Sequence, residues 1–265
     1  MNQHDKPDQS FDTLANKFES NIYGSTKGRL RHELLLHYLQ TLVPLNEKKY
    51  SVLDVGGGTG VMSRALVDLG HNVTLSDISS EVLAIARPKF AEDEDIQFIQ
   101  GDILSLANEQ QYDLLVCHAV LEWLQAPLAM LDKLLALVKP GGYLSLSFFN
   151  KDAQRFGNLL YGNFDYVVKG MRVKNQVRLS PNNALEPQVV LNKLSTLPAD
   201  IIHQAGIRCI HDYLKQPDMQ QSHYQQLKQM EITYGSQHPY LWLGKYFHII
   251  LHKPDAITTN KVNTP

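Results

Sequence analysis

The sequence predicts an α/β protein with a mostly parallel, seven-stranded sheet and helices on both faces. Three observations support this prediction. Apolar runs alternate with amphipathic stretches between residues 50 and 150, a glycine-rich turn follows the first run, and acidic residues stand at the ends of the first three runs. Such an alternation is typical of βαβ units, whose crossover helices cover both faces of a parallel sheet.

Five apolar runs fit strands, and the stretches between them fit helices. The predicted strands are residues 51–55, 72–76, 96–99, 112–117 and 143–149. The predicted helices are residues 61–69, 79–90 and 127–138. The turn formed by residues 139–142, which reads Lys-Pro-Gly-Gly, predicts a sharp reversal into the fifth strand.

After Asn150 the alternation stops. Residues 151 to about 185 are irregular, aromatic and basic, and we expect them to form an inserted substrate lid, followed by a helical stretch over 187–205. Two late strand candidates flank a predicted helix near 222–234 and are expected to form an antiparallel edge pair, at 207–214 and 245–252. The predicted organisation is a helical cap over 1–49, a cofactor-binding core over 50–150, an insert with helices over 151–206, edge strands of the same sheet over 207–253, and a disordered tail over 254–265.

The composition narrows the class of protein. A chain of 265 residues with 43% hydrophobic content can bury a sizeable core. Its two cysteines, Cys117 and Cys209, lie in apolar stretches, so we expect no disulfide framework, and no zinc-ligand spacing is present. The polar start lacks a secretory signal, and no apolar stretch approaches the roughly 18 residues that span a bilayer, so we expect a cytoplasmic protein. The net charge of −2 means that nucleic-acid binding would need a local basic patch.

A glycine-rich loop follows the first predicted strand, which ends in Asp54 and Val55. Gly56 and Gly57 open the loop, and glycine lets the backbone turn tightly and approach a ligand closely. A dinucleotide site would need the spacing G-x-G-x-x-G, whereas this loop has G-x-G-x-G after an acidic residue. A carboxylate at Asp54 repels a pyrophosphate but suits a ligand with an ammonium and a sulfonium. The loop therefore favours S-adenosylmethionine over a nicotinamide dinucleotide.

Acidic residues also follow the next two predicted strands. Asp77 closes the second strand, where its carboxylate can accept hydrogen bonds from both ribose hydroxyls. Asp102 follows the third strand, where it and the backbone of Ile103 and Leu104 can contact the adenine edge. Each aspartate alone is also explained as an ordinary turn residue. Together they favour a Rossmann-like class I methyltransferase fold, because ligands of open α/β sheets bind at the carboxyl ends of the strands.

His118 follows the fourth predicted strand. Taken alone, His118 is explained as a histidine of the core, or as one that supports a binding site without contacting the ligand. Its position beside the expected cleft makes a cofactor-binding role equally plausible. His118 and Glu122 are four residues apart and could share a helix face, but two groups without a third ligand make a poor metal site. We therefore predict no bound metal.

Several segments resemble one family. They are residues 21–31 (NIYGSTKGRLR), the glycine-rich loop, residues 118–123 (HAVLEW), residues 162–166 (GNFDY) and residues 211–214 (HDYL). Together they resemble the bacterial tRNA 5-carboxymethoxyuridine methyltransferases of the CmoM type, over nearly the whole chain up to His252. The glycine-rich loop is shared by many methyltransferases, whereas the first segment and the segments between 162 and 214 are more discriminating.

The resemblance implies an enzyme that esterifies the carboxylate of 5-carboxymethoxyuridine at the wobble position of tRNA. It implies that Arg31 holds the methionyl carboxylate of the cofactor, and that the other cofactor contacts are Gly56, Gly57, Asp77, the segment around Ile103 and Leu104, and His118. Without the resemblance, a solvated helix face would explain the cluster of Lys27, Arg29 and Arg31. An ionised carboxylate needs no general base, so we assign no catalytic residue and expect catalysis by positioning.

Basic and aromatic residues after Asn150 are candidates for binding an anticodon loop. Arg172, Lys174 and Arg178 can pair with phosphates, and Tyr166 and Tyr213 can stack on splayed bases. His211 would position the modified base, although without the resemblance it would simply end a strand. A solvated surface loop equally explains the charges, and the aromatic residues are equally plausible in a core.

Two other functions remain open at this point. One is a methyltransferase for a small carboxylic acid, with the same cofactor site and an insert that only covers a pocket. The other is a noncatalytic tRNA-binding protein that keeps the fold for architecture alone. Asp54, Asp77 and the glycines argue against the second, and the glycine spacing argues against a nicotinamide oxidoreductase.

Overall fold

The computed structural model describes residues 25–106, 110–171 and 183–255. Seven strands in these ranges form one sheet in the order β3-β2-β1-β4-β5-β7-β6. The strands are β1 (Ser51–Val55), β2 (Asn72–Asp77), β3 (Ile96–Gln100), β4 (Tyr112–His118), β5 (Val138–Phe149), β6 (Asp200–Ile207) and β7 (Tyr246–His252). Only β7 runs against the other strands, so the predicted mostly parallel sheet is confirmed.

Helices cover both faces of the sheet, as predicted. They are α1 (Thr26–Leu42), α2 (Val61–Asp68), α3 (Ser80–Ala86), α4 (Pro127–Ala136), α5 (Lys151–Leu160), α6 (Phe164–Val168), α7 (Pro187–Leu194), α8 (Met219–Ser222) and α9 (Tyr224–Gly235). One apolar cluster joins the sheet to α1, α2 and α9, and another joins it to α4 and α7. Within the described residues, no helix has the length and apolar character needed to cross a bilayer.

The continuous apolar strands of the sequence follow from this two-sided burial. Successive residues of β4 point to opposite faces, so that Leu114 and Val116 enter the cluster with α1 whereas Leu115 and Cys117 enter the cluster with α4. A parallel strand covered by helices on both faces has no polar face.

Two element predictions in the second half of the chain are wrong. The predicted strand 207–214 is β6 at Asp200–Ile207, and the predicted helix 187–205 ends with α7 at Leu194. The predicted antiparallel pair does form between β6 and β7, although β7 lies inside the sheet and β6 at its edge. Arg208 ends β6 with a left-handed backbone (φ 63°), and a 3₁₀ turn follows at His211–Tyr213.

A buried carboxylate explains where β6 ends. Glu231 on α9 accepts the backbone N–H groups of Cys209, Ile210 and His211 at 2.8, 3.0 and 2.7 Å. These three groups are therefore unavailable to a strand ladder. Since the carboxylate comes from a helix 20 to 22 residues further along the chain, the local apolar pattern does not reveal it.

The insert after β5 is more regular than predicted in its described part. Residues 151–171 contain α5 and α6, where we expected irregular chain. The buried Asn150 begins α5, because its side-chain oxygen accepts the N–H groups of Asp152 and Ala153 at 2.9 and 3.3 Å.

The predicted reversal at 139–142 is also wrong. Strand β5 starts at Val138 and passes through this segment, where its pairing with β4 shifts in register.

Candidate active site

A cleft lies where β1 and β4 end side by side. Its lining consists of Arg31, His32, Leu35, Asp54, Gly56, Gly57, Met62 and His118, around about 390 Å³ of open space. Helix α1 contributes the first three residues, and the end of β1 with its loop contributes the next three. The structure thus brings together five of the predicted cofactor residues, namely Arg31, Asp54, Gly56, Gly57 and His118.

The glycines of the loop are required by space as well as by conformation. Gly56 has a φ of +61°, and a Cβ there would lie 2.6 Å from Cγ2 of Val120. A Cβ on Gly57 would lie 2.8 Å from a carboxylate oxygen of Asp54. A larger residue at either position would therefore push the loop out of its place above β1.

Asp54 lies beneath this loop with only 3% of its surface exposed. Its carboxylate accepts a hydrogen bond from the Ser63 hydroxyl at 2.6 Å. Burial raises the pKa of Asp54 to about 6, and the charge of Asp77 adds to this effect. No salt bridge from the described residues reaches Asp54, so a cationic ligand group in the cleft would favour its ionised form.

Asp77 and the segment at Asp102 continue the same edge along β2 and β3 without lining the cleft itself. Asp77 accepts the N–H groups of Gly58 and Ser79 at 3.0 and 2.9 Å, which ties the glycine loop to the start of α3. Asp102 begins a 3₁₀ turn by accepting the N–H of Leu104 at 2.9 Å. Leu104 is 62% exposed and Ile103 is buried.

His118 belongs to a hydrogen-bonded chain that sequence reasoning missed. Its Nε2 lies 2.8 Å from Oγ of Ser145, and the same oxygen lies 2.9 Å from Nε2 of the buried His248. Because a hydroxyl carries one hydrogen, at least one of the two rings must donate its own Nε2–H. Burial lowers the pKa of His118 to about 3, and Arg31 and His32 add to this effect, so the ring at the cleft is neutral.

Ser145 and His248 had a weak signal in the sequence. Both are polar residues in apolar strands, on the adjacent strands β5 and β7, where a buried polar side chain needs a partner. Only the sheet order, in which β5 lies between β4 and β7, shows that they connect to His118.

Glu122 lies close to the site but does not pair with His118 on a helix. It stands in a 3₁₀ turn at Leu121–Trp123 and is 1% exposed, and its Oε2 has no hydrogen-bond partner among the described residues. Burial raises the pKa of Glu122 to about 7, while backbone N–H groups and Arg31 oppose the rise. No group of three or more potential metal ligands occurs in the described ranges.

The predicted substrate residues fall into two groups. Arg172, Lys174 and Arg178 lie outside the described residues. Tyr166 is half-buried on α6, while His211 and Tyr213 lie on the 3₁₀ turn after β6.

His211 and Tyr213 already have partners within the protein. His211 is fully buried, and its Nδ1 lies 2.7 Å from a carboxylate oxygen of Asp212. The hydroxyl of Tyr213 donates to the carbonyl of Leu243 at 2.9 Å. Both side chains therefore brace the turn after β6 in this structure, and their contact with a substrate remains a prediction.

Comparisons with known proteins agree with this arrangement. A family model described as a methyltransferase domain matches residues 28–180. The tRNA 5-carboxymethoxyuridine methyltransferase of Escherichia coli K12 is 38% identical over 257 residues, which cover 94% of this chain and 98% of that protein. A malonyl-[acyl-carrier protein] O-methyltransferase of Ilyobacter polytropus is 30% identical over 109 residues, or 40% of this chain and 42% of that protein.

Solved structures share the fold at low identity. The magnesium protoporphyrin IX methyltransferase of Synechocystis PCC 6803, solved with bound SAH, superimposes with a TM-score of 0.63 at 17% identity. The match covers 92% of this chain and 96% of that one. This likeness confirms the Rossmann-like methyltransferase fold of the sheet.

Proposed function

Because this chain belongs to the family of tRNA 5-carboxymethoxyuridine methyltransferases, we propose that it transfers a methyl group from S-adenosylmethionine to the carboxylate of 5-carboxymethoxyuridine in tRNA. The observation that carries the proposal is the cleft itself. It combines a cation, Arg31, with a buried carboxylate, Asp54, at the edge where β1 and β4 end. The methionyl part of the cofactor is a zwitterion that needs both charges.

The residues at this edge fit the parts of the cofactor in order. Arg31 would bind the methionyl carboxylate, and Asp54, beneath Gly56 and Gly57, would stabilise the ammonium and sulfonium side. Asp77 would bind the ribose hydroxyls. The segment of Asp102, Ile103 and Leu104 would contact adenine, and the neutral ring of His118 would close the cleft without repelling the sulfonium.

The chemistry asks little of the protein beyond positioning. Bound S-adenosylmethionine supplies an electrophilic methyl group. A carboxylate oxygen of the substrate forms the new O–CH₃ bond while the S–CH₃ bond breaks, and no proton moves. The substrate carboxylate is ionised at neutral pH, so no general base is needed. Holding it in line with the methyl group can supply roughly 7–11 kcal/mol of the barrier.

The modified nucleoside would be presented by the anticodon loop at the wobble position. A base in a single-stranded loop costs little to expose, which favours a shallow, basic cleft with aromatic edges. Tyr166, His211 and Tyr213 are the described candidates for contact with the base, and Arg172, Lys174 and Arg178 are candidates for contact with phosphates. The cytoplasm is the compartment that such a substrate implies.

Mass spectrometry of tRNA nucleosides tests the proposal directly. Bulk tRNA from a strain that lacks the esterified nucleoside is incubated with the protein and S-adenosylmethionine. We expect a gain of one methyl group on 5-carboxymethoxyuridine and on no other nucleoside. Small carboxylic acids in parallel reactions test the alternative substrate class. Methylation of such an acid with none on tRNA would contradict the proposal.

A further inference from the structure

Two cationic side chains lie beside the cleft without belonging to it. Arg208 directly follows β6, and Lys245 directly precedes β7. The last residues of β5 and β6 both pair with the first residue of β7, Tyr246. Because β5 runs parallel to β4, this is the same edge of the sheet at which His118 ends β4.

Tyr246 connects these cations to the cleft. The guanidinium carbon of Arg31, which lines the cleft, lies 5.0 Å from the centre of the Tyr246 ring. The guanidinium carbon of Arg208 lies 5.6 Å from the same ring. One aromatic ring therefore separates Arg208 from a residue of the cofactor cleft.

Arg208 has unused hydrogen-bonding capacity although it is only 8% exposed. Its Nη2 donates to a carboxylate oxygen of Asp212 at 2.8 Å, and its Nη1 donates to the carbonyl of Lys27 at 3.5 Å. Its buried Nε–H has no partner among the described residues. A guanidinium offers five N–H groups, so another acceptor would complete this set.

Lys245 has fewer hydrogen-bonding and ionic partners than Arg208 among the described residues. Among the described residues its ammonium makes no hydrogen bond and no salt bridge, and it lies 5.2 Å from the centre of the Phe149 ring. Burial lowers the pKa of Lys245, Asp212 opposes that effect, and the charges of Arg208 and Lys27 add to it. An anion beside this ammonium would restore the stability of its charged form.

The charges around this point do not balance. Arg208 and Lys245 lie here with the exposed Lys27, whereas Asp212 is the one carboxylate that the described structure sets against Arg208 and Lys245. Asp212 also bonds to Nδ1 of His211. The cluster therefore has room for a further anion at the mouth of the cleft.

We propose that Arg208 and Lys245 form the subsite that holds the carboxylate of the methyl acceptor next to the cofactor cleft. The inference rests on the proposed function, which supplies a substrate with such a carboxylate. Arg31 is left for the methionyl carboxylate, so each carboxylate has its own cation. One oxygen of the acceptor carboxylate stays free for attack on the methyl carbon.

The reaction itself changes the charge at this subsite. When the O–CH₃ bond forms and the S–CH₃ bond breaks, the acceptor turns from an anion into a neutral ester and no proton is released. Lys245 and Arg208 then lose the second anion, and Asp212 again is the one carboxylate that the described residues set against them. The same two residues would thus favour the unmodified carboxylate over a neutral uridine and help to release the product.

A binding cycle tests the subsite with the full chain and S-adenosylhomocysteine, so that no turnover occurs. Two forms of one tRNA are compared, with 5-carboxymethoxyuridine or with the neutral 5-methoxyuridine at the wobble position. We expect the wild type to bind the first about 10- to 100-fold more tightly, the range of a charge-assisted hydrogen bond. Lys245→Met should lower this ratio of affinities at least tenfold, and Lys245→Arg should keep it.

Control variants separate the subsite from general effects. Lys193→Met removes a lysine that pairs with Asp132 and should retain the full preference. Lys245→Gln replaces the Met variant if that variant fails to fold, and Arg208→Lys should reduce the preference while keeping the charge, because a lysine loses the planar fork.

The outcomes distinguish the subsite from the proposed function. If Lys245→Met weakens the binding of both tRNAs equally, Lys245 binds a phosphate or supports the fold, and the proposed subsite is contradicted. A preference that survives in Lys245→Met also overturns it. If the wild type methylates no 5-carboxymethoxyuridine in the nucleoside assay, the proposed function fails and takes the subsite with it.

Discussion

The two halves of the sheet form the same edge in different ways. In the half built from β1 to β4, the candidate cofactor residues stand within a few positions of a strand end, as Asp54, Asp77 and His118 do. In the half built from β5 to β7, Arg208 and Lys245 come together only because β6 and β7 pair. The first half therefore depends on local sequence order, and the second depends on contacts between distant residues.

Glu231 is the residue on which the second half depends most. Its side chain is fully buried and accepts three consecutive backbone N–H groups after β6. Those groups hold Arg208 and the turn at His211–Tyr213 against α9.

Among these predictions, removal of the Glu231 carboxylate should change the free energy of unfolding most. Glu231→Ala leaves the N–H groups of Cys209, Ile210 and His211 without their acceptor and should lower the free energy of unfolding by roughly 3–5 kcal/mol. Urea unfolding measures the loss. The matched control is Gln226→Ala, an exposed position on the same helix, which should change stability by less than about 0.5 kcal/mol. Equal losses in both variants would contradict the role of Glu231.

A methyl group on the loop glycine tests the first half. In Gly57→Ala the new Cβ would lie 2.8 Å from the Asp54 carboxylate and 2.9 Å from Cγ of Leu75, which should cost about 1–3 kcal/mol in overpacking. Displacement of the loop should also weaken S-adenosylmethionine binding at least tenfold in calorimetry.

The control for this variant is Gly157→Ala, on α5. A Cβ there meets nothing within 4 Å, so the change should stabilise the helix by roughly 0.5–1 kcal/mol and leave cofactor affinity unchanged. Wild-type affinity in Gly57→Ala would show that the loop can move aside at no cost.

The smallest predicted effect concerns the pH dependence of the cleft. The pKa of Asp54 is raised to about 6, so a cationic ligand should bind more tightly as pH rises through 6, with up to about tenfold loss per pH unit below it. Asp54→Asn should flatten the profile. Glu122, with a pKa of about 7, also titrates nearby, so Glu122→Gln should keep the slope below pH 6. If the affinity of Asp54→Asn still falls below pH 6 as in the wild type, another group causes the pH dependence.

Stability should depend on pH in the opposite direction to ligand binding. A carboxyl group whose pKa is raised by folding contributes stability that is present below its unfolded pKa and is lost as pH rises through the folded value. The ligand-free Asp54→Asn variant should therefore be more stable than the wild type above about pH 6, as thermal unfolding would measure.

The sequence by itself determined the fold class and the first five strands, and it predicted Asp54, Gly56, Gly57 and His118 as cofactor residues at the strand ends. These follow from short-range order, because a parallel strand buried on both faces is a continuous apolar run and its ligand-binding residues come immediately after it. The glycine spacing after Asp54 was informative for the same reason.

The tertiary structure alone decided where β6 ends, which buried side chains meet His118 and which cations stand beside the cleft. Glu231 competes with the strand ladder for backbone N–H groups, and Ser145 and His248 meet His118 only through the order of β4, β5 and β7. Arg208 and Lys245 read as ordinary surface cations in the sequence. Their position at one strand pair, with a single carboxylate of the described residues set against them, is a property of the assembled sheet, because long-range pairing leaves no local periodicity.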